Sequence, residues 1–297
     1  MEKELISAVI TTHNRKELLI KAVASVCNQT YKNLEIIVVD DASTDGTGEK
    51  LSEIRDSRIR YIYIGPEESK GGNYARNTGI RNAKGEYIAF LDDDDEWMPE
   101  KIEKQYAVFR DHPEISFVAC ARIYEYDFQK QIPQKTSDLI EGDLSRIIFT
   151  TMPYTTSAIM VKKALLTEVG MFDENLRMWQ DYDLEIRLCQ KGNAAVVKEF
   201  LLLYRVITSD RGRLTNNIDG WIEAVSCIES KYKALIDQLP AEYKKKRNAM
   251  IGKDGARRAG RNGNLKLQRK YLKMAFLNEK NIKNLVKYCL NISRRNG

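Results

Sequence analysis

The sequence predicts an α/β fold: a mostly parallel central sheet flanked by helices, followed by a C-terminal helical appendage. Three observations predict it. Four short apolar runs of strand length alternate with segments of helical period between Leu5 and Asp92. The runs are continuously apolar, as strands covered on both faces are. Carboxylates gather where three of the strand candidates end, and parallel topology puts those ends on one edge of the sheet.

Leu5 to Thr11 is the first buried strand, and Asn14 is placed to cap the helix after it. Leu18, Leu19, Ala22, Val23, Val26 and Cys27 recur at helical spacing. Leu34 to Val39 is the second strand and runs into Asp40-Asp41-Ala42-Ser43-Thr44-Asp45-Gly46-Thr47. Leu51 and Ile54 mark a short helix, Ile59 to Ile64 a third strand, Ser69 to Asn73 a turn, and Tyr74 to Ala83 a helix. The fourth strand, Tyr87 to Leu91, ends abruptly in Asp92-Asp93-Asp94-Asp95. Pro99 can open the amphipathic helix that reaches Arg110. Ile115 to Ala121 reads as a strand, Tyr124 to Asp143 as a polar irregular excursion, and Ser157 to Val161 as another strand. Lys163 to Val169 is a helix closed by Gly170. Met171 to Met178 is a loop, and a helix carrying Leu184, Ile186, Leu188 and Cys189 opens near Asp181. Ala195 to Val197 and Leu201 to Tyr204 are two late strands; from Ile222 the pattern is helical, broken at Pro240.

Bulk properties narrow the function. The 297 residues fit one large α/β domain with an appendage, and 43% hydrophobic residues suffice for a full core. No apolar run approaches the ~20 residues of a membrane-spanning helix, and Met1-Glu2-Lys3-Glu4 does not open a signal peptide. The 5 cysteines have no metal-ligand spacing, so free thiols in a reducing cytoplasm are expected. His13 and His112 are too few for a zinc site. The net charge of +6 is segregated: residues 241–297 hold 17 Lys and Arg against 3 acids. A basic tail on an acidic body points to a polyanionic partner.

The strand ends carry the chemistry. A strand delivering carboxylates at its tip suits a hard cation such as Mg²⁺ or Mn²⁺, bound through one or two carboxylates plus substrate phosphates. A solvated acidic loop is the plainer alternative. Asp41 sits where a carboxylate could accept the N3–H of a uracil or thymine, and Thr11 could touch the same base; turn chemistry competes for Asp40 and Asp41. A phosphatase motif fails, because no Asp lies two residues before a Thr-containing nucleophile loop. No Gly-x-Gly-x-x-Gly follows the first strand, which argues against a dinucleotide enzyme.

Several segments in order resemble family 2 glycosyltransferases with the GT-A fold. They are Val9 to Arg15, Val26 to Thr30, Ile37 to Thr47, Gly71 to Ile80, Gly85 to Pro99, Glu168 to Glu174 and Trp179 to Leu188. The resemblance covers about residues 4 to 210. It implies transfer of a sugar from a nucleotide-sugar donor, UDP- or dTDP-linked by preference, to a saccharide or lipid-linked acceptor, with inversion and with Mn²⁺ or Mg²⁺. By this mapping Asp94 binds the metal, Asp92 or Asp93 contacts the ribose, and Asp95 is a second metal candidate. Thr11 and Asp41 map to base-binding positions. Asn14, Lys70 and Arg76 join the nucleotide-sugar site, with a structural ion pair as the other reading of Arg76. The family's Glu-Asp pair stands here as Gln180-Asp181, with Asp181 at the position of the catalytic base. Without the resemblance, Asp181 reads as a helix N-terminal acid favoured by the dipole.

Other functions are weighed against this one. A sugar-nucleotide nucleotidylyltransferase needs a Gly-rich, Arg-containing loop after the first strand, and Thr12-His13-Asn14-Arg15 is not one. A catalytically inactive scaffold would not need Asp94 and Asp181. The expected domains are a catalytic body, residues 1–212, with donor half 1–122 and acceptor half 123–212, and a basic helical region, residues 213–297. There Leu265, Leu272 and Phe276 form one apolar stripe, and Ile282, Leu285, Val286, Cys289 and Leu290 another. Lys283, Lys287 and Arg294 lie off the second stripe. Packed helices and an anionic membrane surface are both compatible with it. Nucleic acid is not an expected partner, since Lys244-Lys245-Lys246-Arg247 has no stacking or groove-reading motif behind it.

Overall fold

The computed structural model describes residues 4–207 and 217–293. The chain divides into two compact units. One comprises Met1–Leu144, Pro153–Asn175 and Gln180–Ser209, and the other Ser145–Met152, Leu176–Trp179 and Asp210–Gly297.

Among the described residues the first unit is built on a nine-stranded sheet. Strands β1 (Ile6–Thr12), β2 (Leu34–Asp41), β3 (Ile59–Ile64) and β4 (Tyr87–Asp92) lie in the order β3-β2-β1-β4, all parallel. Helix α1 (Lys16–Cys27) follows β1, and α2 (Thr47–Ser52) and α3 (Gly72–Asn82) follow β2 and β3. Leu19, Ala22, Val23 and Val26 of α1 bury one sheet face with Ile6, Ala8, Ile10, Ile36 and Val38. Full burial of each Val, Leu or Ile among these stabilises by about 1.5–3 kcal/mol. The other face takes α3, and a Cβ on Gly79 would stand 2.3 Å from Val9 Cγ1. That approach explains the glycine inside a helix.

Beyond β4 the sheet becomes mixed. Strand β5 (Glu96–Trp97) was not foreseen, and α4 (Lys101–Asp111) begins two residues after Pro99. The first half of the excursion expected to be irregular is a hairpin, with β6 (Phe117–Tyr126) pairing β7 (Lys130–Pro133), and its second half is irregular apart from the 3₁₀ turn Thr136–Asp138. The strand expected at Ser157 is a 3₁₀ turn, Thr156–Ala158, leading into β8 (Met160–Lys162). Helices α5 (Lys163–Glu168) and α6 (Gln180–Cys189) follow. The two late strands are one, β9 (Ala194–Val206). It absorbs its polar middle through register shifts against β6 near Ala121.

The second unit holds helices α7 (Ile218–Lys231), α8 (Lys233–Gln238), α9 (Ala241–Arg261), α10 (Leu265–Asn278) and α11 (Ile282–Ser293). Its centre is Trp221, fully buried between Trp179 and Tyr271 at ring distances of 5.8 and 5.2 Å. Tyr271 and Ala275 are the buried residues of α10, whereas Leu265 of the expected stripe is exposed. On α11 the apolar stripe stands open: Ile282 is 80% exposed, Val286 47% and Leu285 41%. Among the described residues no helix is long and apolar enough to cross a membrane. Arg294 and Leu290's side chain lie outside the described residues, as does the boundary expected at residue 212.

Candidate active site

Strand register brings Thr11, Asp41 and Asp92 to one edge of the sheet. Thr11 pairs with Asp92, and Thr11 also pairs with Val39, two residues before Asp41. Side chains alternate along strands, so Thr11, Asp41 and Asp92 share the sheet face on which α3 packs. Asp40 points to the opposite face. There it is fully buried, accepting from the Ser43 amide at 2.9 Å and the Tyr61 hydroxyl at 2.7 Å. Asp40 therefore carries the turn chemistry. Asp41 does not: its Oδ1 is buried without a hydrogen-bond partner. Ala42, immediately after it, has φ of 63°. A non-glycine residue there is strained, and the turn it makes sets Asp41 at the strand tip.

Asn14 is not a helix cap. It sits at φ 53°, and Arg15 occupies the capping position of α1 without a side-chain capping bond. Asn14 Oδ1 instead accepts from the Thr44 amide at 2.7 Å, and its own amide donates to Ser43 Oγ at 2.8 Å. It thereby fastens the loop after β1 to the loop that follows Asp41.

The aspartates diverge in role. Asp92 Oδ1 accepts from Arg76 at 2.5 Å. Asp93 is buried, held by the Thr12 hydroxyl at 2.7 Å and by Arg15 at 3.3 Å. Burial, with the Asp94 charge beside it, pushes the Asp93 carboxyl up to about 7, against Arg15 and Thr12. Asp94 lies 3.4 Å from Arg15, its side chain 17% exposed. Asp95 turns inward, buried, with Oδ1 accepting the Arg205 amide at 2.9 Å. Burial first, then the charges of Asp94 and Asp92, hold it well above the usual carboxylate range. Its burial makes it a poor metal ligand. Asp92 and Asp94 keep partly exposed carboxylates, 32% and 17%, each ion-paired to an arginine.

Hard oxygen donors at this strand end suit Mg²⁺ or Mn²⁺. Among the described residues no three His, Cys, Asp or Glu side chains converge as a cage. The donor set fits an ion whose shell substrate phosphates complete.

Arg76 joins the two sides. Its pairing with Asp92 and the nearby charges of Asp181 and Asp93 keep it protonated although burial opposes charge. The Phe172 ring lies 5.5 Å from its guanidinium. Phe172 is fixed by Asn77, which accepts from its amide and donates to its carbonyl, both at 2.9 Å. Asp181 stands in the first turn of α6. Desolvation, helped by the Asp92 charge, raises its carboxyl above the usual range, while the Tyr182 amide and Arg76 oppose the rise. Asp183 is fully buried and ion-paired to Arg187 at 2.7 Å, facing away from this chemistry. Lys70 is exposed over the Tyr74 ring at 5.0 Å and joins none of these carboxylates. Arg15 and Thr12 were missed as partners of the aspartates, although both stand in the Thr12-His13-Asn14-Arg15 run.

The sequence model of Glycosyl transferase family 2 matches residues 7–170, more than half of the chain. The chain belongs to glycosyl transferase family 2. This family 2 chain is 43% identical over 246 residues to the Escherichia coli UDP-Glc:alpha-D-GlcNAc-diphosphoundecaprenol beta-1,3-glucosyltransferase WfaP, covering 79% of this chain and 84% of that protein. It is 35% identical over 203 residues to an uncharacterized glycosyltransferase of Rickettsia felis, covering 68% of this chain but only 33% of that protein's length. Its GT-A fold is shared with S. aureus TarS solved with UDP-GlcNAc: TM-score 0.60, 16% identity, 97% of this chain and 89% of that one. It is shared too with the Pyrobaculum calidifontis mannosyltransferase PcManGT, in complex with GDP-Man and Mn²⁺: TM-score 0.56, 17% identity, 97% and 88% coverage.

Proposed function

We propose that the chain transfers a sugar from a UDP- or dTDP-sugar to a hydroxyl of a saccharide or lipid-linked saccharide, with inversion, by a single metal-assisted displacement. The observation that carries this reading is Arg76, paired with Asp92 on the donor side and within electrostatic reach of Asp181. The E. coli relative, named for a UDP-Glc donor and a diphosphoundecaprenol-linked acceptor, supports the base and acceptor class.

In this mechanism Asp41 accepts the base N3–H at its unpartnered oxygen, with Thr11 beside it. Asp92 or Asp93 orients the ribose. Asp94 would hold Mn²⁺ or Mg²⁺, and a bound ion would supply positive charge against the departing diphosphate. Asn14, Lys70 and Arg76 complete the nucleotide-sugar side. Asp181 takes the proton of the acceptor hydroxyl as its oxygen attacks the anomeric carbon, which needs a separation of ~3 Å in the loaded complex. The C–O bond to the nucleoside diphosphate breaks on the opposite side.

Catalysis is assigned to the body, residues 1–212, and contact with an anionic membrane on the cytoplasmic side to the basic region, residues 213–297. The exposed apolar stripe of α11, with Lys283 and Lys287 beside it, supports that contact. The test is turnover with UDP-, dTDP- and GDP-sugars, with Mn²⁺ and with EDTA. Release of UDP or dTDP, abolished by EDTA and by Asp94→Ala, is expected. Turnover indifferent to EDTA would remove the metal from the account, and pyrophosphate release would favour a nucleotidylyltransferase.

A further inference from the structure

One carboxyl near the proposed base is unused by this mechanism. Glu185 lies four residues after Asp181 on α6, so the two share a helix face one turn apart. It is 1% exposed, and its Oε1 is buried without a hydrogen-bond partner. The groups facing it are Asp181 and Cys189 on its own helix, Arg122 of β6, and Tyr154. Arg122 is the one cation among them. It is committed elsewhere, donating Nε to the Tyr124 hydroxyl at 2.9 Å and lying over the Tyr124 and Tyr204 rings at 5.1 and 5.7 Å. It forms no ion pair with Glu185 among the described residues.

We propose that Glu185 is a positioning residue that holds a proton, so that the Asp181–Glu185 pair carries one negative charge, and that charge rests on Asp181. This rests on the reading of Asp181 as the base. The geometry divides the pair. Asp181 is in the first turn, where the helix dipole favours an anion, its Oδ1 accepts the Tyr182 amide at 2.9 Å, and Arg76 is near. Glu185 is in mid-helix, drier, with an orphaned oxygen. A buried carboxylate oxygen without a partner is costly, and the same oxygen in a neutral acid is far less so. Two adjacent carboxyls of this kind do not both ionise. Desolvation, then the Asp181 charge, holds the Glu185 carboxyl well above its ordinary range, with Arg122 opposing. The neutral acid keeps a second anion from repelling the charge that receives the acceptor's proton.

The test is infrared difference spectroscopy on the full chain at pH 7 without substrate, comparing wild type with Glu185→Gln and Asp181→Asn. A protonated-carboxyl band lost in Glu185→Gln and kept in Asp181→Asn is expected. Loss in Asp181→Asn only would put the proton on the wrong member, and loss in neither would mean both are ionised; either overturns the proposal. Denaturant unfolding gives a second reading. A carboxyl whose folded pKa is raised contributes stability that is fully present below the unfolded pKa and lost as pH rises toward the folded one. Glu185→Gln should therefore gain on wild type above about pH 4, by up to tenfold in the folding constant per pH unit. A flat difference would contradict the proposal. Neither readout uses turnover, so failure of Asp181 as the base shows separately, as near-normal kcat in Asp181→Asn.

Discussion

Arg76 Nη2 lies 2.5 Å from Asp92 Oδ1, and the same guanidinium lowers the proton affinity of Asp181. One cation thus serves the strand that carries the aspartate run and the helix that carries the proposed base. Arg76→Met should weaken nucleotide binding and also raise the Asp181 pKa, moving the acid limb of the kcat–pH profile upward. A base works above its pKa, so activity in the variant is lost at a higher pH on acidification. Profiles of both proteins at saturating donor check this; an unmoved limb would reduce Arg76 to a structural ion pair.

Asp41 has a buried oxygen with no partner, so Asp41→Ala should cost little stability. It should weaken nucleotide binding roughly ten- to hundredfold, as one hydrogen bond to a charged partner contributes about 1.5–3 kcal/mol. Calorimetric titration with UDP beside a denaturant melt separates the two. Unchanged affinity with lowered stability would make Asp41 a turn residue.

Asn77 is buried and satisfies both backbone groups of Phe172, and Nδ2 also reaches Glu174 at 2.8 Å. Asn77→Ala should destabilise the chain by about 1–3 kcal/mol by leaving buried groups unpaired. Equilibrium unfolding measures it, and a change within experimental error would show that the Phe172 loop is held by other contacts.

The parallel half of the fold was legible because β1, β2 and β4 are largely buried on both faces and read as apolar runs, whereas the edge strand β3 is half-exposed. The second half was not. Lys198, Glu199 and Phe200 interrupt β9 where its register shifts, so one strand read as two. The hairpin of β6 and β7 was hidden because all of β7 is exposed and carries no apolar alternation. At the candidate site, Asp41 and the aspartate run drew attention by ending strands. Asn14 misled, since an Asn before a helix reads as a cap, but its positive φ sends the side chain to Thr44. Glu185 gave no signal, because its burial depends on β6 and the Tyr154 segment rather than on local sequence.

The apolar face of α11 should bring the chain to anionic bilayers. Reversing the charges of Lys283, Lys287 and Arg294 should lower binding to phosphatidylserine-containing vesicles, with the wild-type interaction weakening as salt rises. Co-sedimentation across ionic strength checks this. Wild-type binding indifferent to lipid charge would contradict it.

The most direct test of the central claim is the kcat of Asp181→Asn. The substitution keeps shape and polarity but cannot accept a proton as a carboxylate does. A general base contributes 10²–10⁴-fold, about 3–5 kcal/mol of barrier. The account predicts a fall in kcat of that size with donor affinity nearly unchanged, and no comparable loss of chemistry from Asp183→Asn in protein that remains folded. Near-normal kcat in Asp181→Asn, with the loss appearing in folded Asp183→Asn instead, would contradict it.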